Sequence, residues 1–359
     1  MGSQVTQLGL MYTFASFEYE HPQGAAFLPP QPLLPPTTHW ERLTTAGCVR
    51  ALDYLAATGV SSHLHHLAAP SSADEQLPLL CHSSEYMQSL SIPDSKRRAA
   101  HISASMTGKA VERVLEGTVR RAYVVTRPAG HHAERHRAGG GCVFNNAAIA
   151  AAVALDAGLE RVVILDWDVH HGNGAQDIFW DDQRVLTVSI HQAVPQLDSV
   201  NGVTAIGGSS AEGYNINVPL PPGSGRGAYE SVLTEIFAPA CDAFRPELIV
   251  LASGYDAATL DPGGRMMLHS QAYFDLAQLL LTVAEEHAEG RVVVTHEGGY
   301  APEYVPFCVG RLVEALTGSA ASELVDPYLA FWGDFAGDQL QDWQSAAIRK
   351  ARAAAPLLA

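Results

Sequence analysis

The sequence predicts an α/β protein: an open, mostly parallel sheet with helices on both faces. Three observations predict it. Short apolar runs recur along the chain, and runs without polar alternation mark strands covered on both faces. Longer segments of helical periodicity separate them, giving the order β-α-β-α through the centre and the C-terminal half. Several apolar runs end abruptly in clusters of Asp, His, Glu and Tyr, where open parallel sheets keep their sites.

The first strand candidate is "QLGLMYTF", from Gln7. Residues 21–38, "HPQGAAFLPPQPLLPPTT", are expected as an ordered surface loop near a site mouth, because so little chain precedes them that a linker has nothing to join. A helix is expected over 40–57. The strand "AYVVTRP" starts at Ala122, and a helix follows over 144–157, where Asn145 and Asn146 are capping residue types ahead of "AAIAAAVAL". Next come the strands "RVVILDW" from Arg161 and "VLTVSIH" from Val185. The Gly- and Ser-rich stretch 191–213 is a long irregular connection, a kind often functional in compact domains. "NINVPL" from Asn215, a helix over 228–244, "ELIVLASG" from Glu247, a helix over 270–287 and "RVVVTHEGG" from Arg291 continue the alternation. Helices over 308–317 and 341–353 close it. There is no internal repeat and no domain boundary, so 1–359 is expected to be a single domain.

Apolar residues make up 47% and charged residues 17% of the 359, the balance of a soluble globular chain. A formal charge of −16 argues against nucleic acid or an anionic membrane as the main partner and suits cationic substrates. The five Cys show no paired spacing, no segment has the apolar length of a membrane helix, and no basic-then-apolar leader is visible. The cytoplasm is the expected setting, and a homo-oligomer is left open.

The stretch "VVILDWDVHHGNGAQD" at 162–177 carries the most chemistry. If the extended conformation persists past the apolar run, Asp166, Asp168 and His170 share one side. Crowded carboxylates and an imidazole then call for a compensating cation; otherwise they form a solvated strand end. Comparable clusters follow other strands: His131 and His132 after "AYVVT", Asp256 after "ELIVLAS", and Glu297 and Tyr300 after "RVVVT". Four clusters at the same end of parallel strands converge on one crevice. His136, His191 and His269 have no partner pattern and are expected in loops or packing.

The phrases "RPAGHH", "DWDVHHGNG", "GYDA" and "EGGY", in this order, resemble the signatures of the histone deacetylase superfamily. "CVFNN", "NINVPLPPGSG" and "LDPGGRMM" are most similar to its class II branch and to bacterial histone deacetylase-like amidohydrolases. The resemblance covers 80–320 well and the preceding segment only loosely. It implies the arginase–deacetylase-like fold and a zinc-dependent amidohydrolase acting on an acyl-lysine or small-molecule amide. Asp168, His170 and Asp256 would hold one Zn2+ per chain. Two-manganese relatives need further Asp ligands, and here Asp256 has no second Asp two residues on. His132 would be the general base and then the acid for the leaving amine, and His131 would bind the water. Asp166 would orient His131, Asn173 would stand beside His132, and Tyr300 would donate to the oxyanion. Potassium is implied at Asp166 and Ser189, with main-chain oxygens of Asp168 and His170, and at a second site of Phe179, Val185 and Tyr214.

The chain departs from the family at the mouth. It reads Gly140-Gly141-Cys142 where most relatives have Gly-Phe-Cys, so Gly140 and Gly141 are expected to line an opened substrate tunnel. The opposite aromatic is missing from "AVPQLDSVNGVTAIGGSS", and the segment between "HSSEYM" and "RPAGHH" offers no match for the rim Asp that grips a peptide backbone. Two alternatives stand beside the amidohydrolase: an acetylpolyamine or other small-molecule amidase, and a non-enzymatic acyl-ligand-binding pseudoenzyme. Both histidines and Tyr300 speak against the last.

Overall fold

The structure, a computed structural model, describes residues 6–17, 36–319, 325–332 and 336–359. Its eight strands are β1 (Thr6–Tyr12), β2 (Leu64–His66), β3 (Val119–Val125), β4 (Val162–Asp166), β5 (Val185–Gln192), β6 (Asn215–Leu220), β7 (Leu248–Ser253) and β8 (Val292–His296). They form one sheet in the order β2-β1-β3-β8-β7-β4-β5-β6, and every pair is parallel.

The apolar runs become central strands because both faces are covered. Val163 and Leu165 of β4 pack into one core with Ile249 and Leu251 of β7. Their neighbours Val162 and Ile164 pack into the other, with Leu248 and Val250. Period-two alternation thus divides a continuous apolar run between two cores. Each fully buried Val, Leu or Ile stabilises the fold by about 1.5–3 kcal/mol relative to exposure. The helices Pro36–Ala57, Ser270–His287 and Val305–Thr317 cover the first face, and Asp94–Leu115 and Asn146–Asp156 cover the second. Among the described residues no helix is long and apolar enough to cross a membrane.

The expected fold class holds, with differences in detail. The 22-residue helix Asp94–Leu115 has no counterpart in the sequence reading. Its buried residues are mostly small, among them Ala99, Ala100, Ser103, Ala104, Thr107, Gly108 and Ala110. The large apolar Met106, Val111 and Val114 come only in its second half, so no continuous apolar stripe announces it. β2 is three residues long with two of them exposed, too short for a periodic signal. The segment expected as one helix over 228–244 is helical from Arg226 to Phe244, with a five-residue π-helical turn at Leu233–Phe237. Of the Pro-rich stretch 21–38, residues 36–38 open the helix Pro36–Ala57 and 21–35 lie outside the described residues.

Candidate active site

β3, β8, β7 and β4 stand side by side at the centre of the sheet. The four polar clusters follow those four strands, so the strand order alone gathers them into one crevice. One expectation needs correction. β4 stops at Asp166, and the chain does not stay extended through His170. The Asp166 Oδ1 accepts the amide of Asp168 at 3.0 Å, and the Asp168 Oδ1 accepts that of His170 at 2.9 Å. Each aspartate therefore turns the backbone two residues on, a competition with the ladder that Asp side chains readily win.

Asp168, His170 and Asp256 each present a ligand atom, and the three atoms lie within 4.8 Å of one another. The His170 Nδ1 is 3.0 Å from Asp168 Oδ1 and 3.1 Å from Asp256 Oδ2. One ring proton serves only one of these oxygens in good geometry, and the buried Asp256 Oδ2 is left without a hydrogen-bond donor. Asp168 and Asp256 are fully buried, and an unpartnered carboxylate oxygen at such a depth is costly. Two carboxylates and an imidazole turned on one point fit a divalent cation, and three protein ligands suit a zinc site with an open position.

Around this point stand two histidines of opposite character. The His131 Nδ1 donates to Asp166 Oδ2 at 3.0 Å, and its Nε2 is 3.7 Å from Asp168 Oδ2. Burial opposes a proton on His131, but the fields of Asp168 and Asp166 overcome it and raise its pKa to about 10. A divalent cation held by Asp168 would counter part of that field. The His132 Nδ1 meets Asn173 Oδ1 at 2.6 Å, while the Asn173 Nδ2 donates to Glu134 Oε1 at 2.7 Å. A carboxylate only accepts, so Glu134 fixes which end of the amide faces His132. His132 must then carry its proton on Nδ1 and keep Nε2 open. Burial, with the neighbouring His131 and His170, pushes its pKa down to about 3 against the pull of Asp168. It is a neutral acceptor at neutral pH.

Tyr300 lines the same pocket, of about 330 Å³, with its ring centroid 6.4 Å from that of His170. Burial and the charges of Asp256 and Asp168 hold its phenol far above the ordinary range, so it stays a hydroxyl donor. Gly140, Gly141, Gly263 and Gly298 give the lining stretches of wall without side chains, and Arg127, Ala129 and Cys142 line it as well. Among the described residues the lining holds no phenylalanine or tryptophan. At Gly140 a β-carbon would fall 2.2 Å from the His132 Cδ2, so the base packs directly on that backbone.

The residues named for potassium divide. Ser189 pairs with Asp166 across β4 and β5, and its Oγ accepts from Gly172 N at 3.1 Å and meets His191 Nδ1 at 3.0 Å. Val185 opens β5 and Tyr214 precedes β6, away from the crevice. The Phe179 and Tyr214 carbonyls accept the amides of Asp182 and Thr187.

Further side chains support the site, Glu297 from the cluster already read after "RVVVT" and His82 without a spacing signal in the sequence. Glu297 accepts the amides of Gly130 at 2.7 Å and His131 at 3.1 Å. His82 donates from Nδ1 to Glu134 O at 2.8 Å and accepts Asn145 N at 2.9 Å. His191 is fully buried between Ser189 and Asn201, and His269 caps the helix Ser270–His287 while pairing with Asp338. His136 meets Ser83 at the surface.

Residues 42–316 match the family described as the histone deacetylase domain. The chain is 38% identical over 318 residues to a histone deacetylase-like amidohydrolase of Pseudomonas aeruginosa, covering 82% of this chain and 83% of that one. A probable deacetylase of Archaeoglobus fulgidus is 33% identical over 292 residues, covering 77% and 81%. The polyamine deacetylase HDAC10 of Homo sapiens is 35% identical over 315 residues, covering 80% of this chain and 45% of that one. The crystal structure of the HDA15 HD domain superposes with a TM-score of 0.79 at 23% identity, covering 98% of this chain and 97% of that one, and so shares the fold.

Proposed function

This chain belongs to the histone deacetylase family, and on that premise we propose that it is a zinc-dependent amidohydrolase that cleaves the acyl group from a linear N-acyl amine. The observation that carries the proposal is the convergence of Asp168, His170 and Asp256 on one point beside His131, His132 and Tyr300. These three residues would hold one zinc, which supplies Lewis acidity that acidifies water and polarises the amide carbonyl.

The chain's own residues do the rest. His132 takes a proton at Nε2 while Asn173 steadies the Nδ1 proton, and later returns it to the leaving amine nitrogen. His131, held by Asp166, orients the attacking water. Tyr300 donates its hydroxyl to the carbonyl oxygen as negative charge develops there. The glycine wall admits acyl groups wider than acetyl. The lining includes Arg127 and, among the described residues, no carboxylate that would draw in a polycation; an acyl-lysine or neutral amide therefore fits better than an acetylpolyamine. Of the residues named for potassium, Ser189, Phe179, Val185 and Tyr214 have no part in this mechanism.

Turnover of a fluorogenic acyl-lysine amide, abolished by a hydroxamate that competes for the cation, is the expected result. A purified protein that binds the amide without turnover would instead be an acyl-ligand-binding pseudoenzyme.

A further inference from the structure

The turn after β7 carries a buried carboxylate that the mechanism above does not use. Asp261 is 6% exposed, and among the described residues its side chain takes only backbone amides. The Oδ2 accepts from Tyr300 N at 2.6 Å and Ala301 N at 2.9 Å, and the Oδ1 accepts from Gly263 N at 2.8 Å. A buried carboxylate without a cationic partner is costly, and three amide donors offset part of that cost. The donors come from two segments, the loop after β7 and the turn after β8. One side chain therefore ties the two together.

Gly263 adds the second half of the geometry. A β-carbon there would fall 2.4 Å from Cδ2 and 2.7 Å from Cε2 of Tyr300, so its backbone lies directly against the phenol ring. Asp261 thus fixes both the main chain from which Tyr300 projects and the surface on which its ring leans. On the other side of the turn, Gly298 N donates to the Asp168 Oδ2 at 2.8 Å. Tyr300 is held between the candidate ligand shell and Asp261.

We infer that Asp261 is a positioning residue for Tyr300, setting where its hydroxyl stands relative to the reacting carbonyl. The inference rests on the proposed role of Tyr300 as oxyanion donor. A role confined to stability would cost activity whether or not Tyr300 has its hydroxyl; a positioning role vanishes once the hydroxyl is gone.

The test is a double-mutant cycle on the zinc-loaded full chain with a fluorogenic acyl-lysine amide, using Asp261→Ala, Asp261→Asn and Tyr300→Phe. Asparagine keeps one acceptor oxygen and sets an NH2 group where the carboxylate had its other oxygen. Tyr300→Phe is expected to lower kcat roughly 10²–10³-fold. Each Asp261 variant should lower kcat by about 10- to 100-fold with KM little changed, the cost of misplacing a group near the reacting atoms. Each double variant should have the kcat of Tyr300→Phe alone, with zinc content unchanged. Losses that multiply in the double variants, or wild-type kcat in Asp261→Asn, would overturn the inference. If Asp261→Ala does not fold, the Asp261→Asn arm decides by the same criteria. Wild-type kcat in Tyr300→Phe would overturn the role of Tyr300 itself, a result separate from the behaviour of Asp261.

Discussion

The Asn173 Oδ1 lies 2.6 Å from the His132 Nδ1, and Glu134 holds the amide in that orientation through its 2.7 Å bond to Nδ2. A neutral partner leaves the His132 imidazole neutral over a wider pH range than a carboxylate would. Asn173→Asp, made together with Glu134→Gln so that the new carboxylate meets a donor, should favour the protonated ring. The acid limb of kcat/KM should then move to higher pH, because His132 must be neutral to accept a proton. An unmoved acid limb in the pH–rate profile would separate Asn173 from the base.

Acid should weaken the fold through His82. Burial, helped by Arg135 and His136, pushes its pKa down to about 4 against the bond to the Glu134 carbonyl. The ring is neutral in the fold, donating from Nδ1 and accepting at Nε2. The unfolded chain binds this proton below about pH 6.5 and the folded chain only near pH 4, so the stabilisation is complete above 6.5 and is lost between them. One such residue accounts for at most about 3 kcal/mol. Thermal midpoints measured across that window should fall with acid, and less steeply in His82→Gln. Equal slopes in the two proteins would contradict this.

Substrate width should follow from the glycine wall. Gly140 and Gly141 have φ of +55° and +86°, in the left-handed region, so Gly141→Phe is strained and does not restore a tunnel wall cleanly. The ligand is the better variable. The missing ring forfeits about 1–2 kcal/mol of contact with a slim acyl-lysine stem. Across acyl groups from acetyl to benzoyl, kcat/KM for the wide groups should match or exceed that for acetyl. A tenfold preference for acetyl would place another wall in the gap. Gly140→Ala, whose β-carbon would collide with the His132 ring, should lower kcat whatever the acyl group.

Asp256→Ala should lose the cation and, with it, the thermal stabilisation that binding gives the loaded protein. Asp168 and His170 follow β4 whereas Asp256 follows β7, so a bound ion links two strands. Wild-type zinc content in the variant, with an undiminished melting midpoint, would remove Asp256 from the ligand set.

What could be read from the sequence follows physical lines. β4 was legible because four successive apolar residues have one explanation, cover on both faces. The helix Asp94–Leu115 was not, because its first half packs through small residues and Met106, Val111 and Val114 alone make no long stripe; Gly108 lies close enough to the helix Asn146–Asp156 that a β-carbon there would be 3.7 Å from Val153. In the site, Asp166, Asp168, His170 and Asn173 lie in one short run, and a strand end with so much ionisable chemistry stands out. The bend at Asp168 was missed because side-chain acceptors, not propensity, end the strand there. Glu134, His82 and Asp261 were missed because each acts through backbone or amide atoms remote in sequence, which leaves no spacing to recognise.

The most direct measurement is the zinc titration of activity. Protein stripped with a chelator and dialysed should be inactive toward an acyl-lysine or aryl amide, and zinc added in steps should restore turnover linearly to a plateau at one ion per chain. Full turnover in the stripped protein, or a plateau reached only at two ions per chain, would contradict a single catalytic zinc held by Asp168, His170 and Asp256.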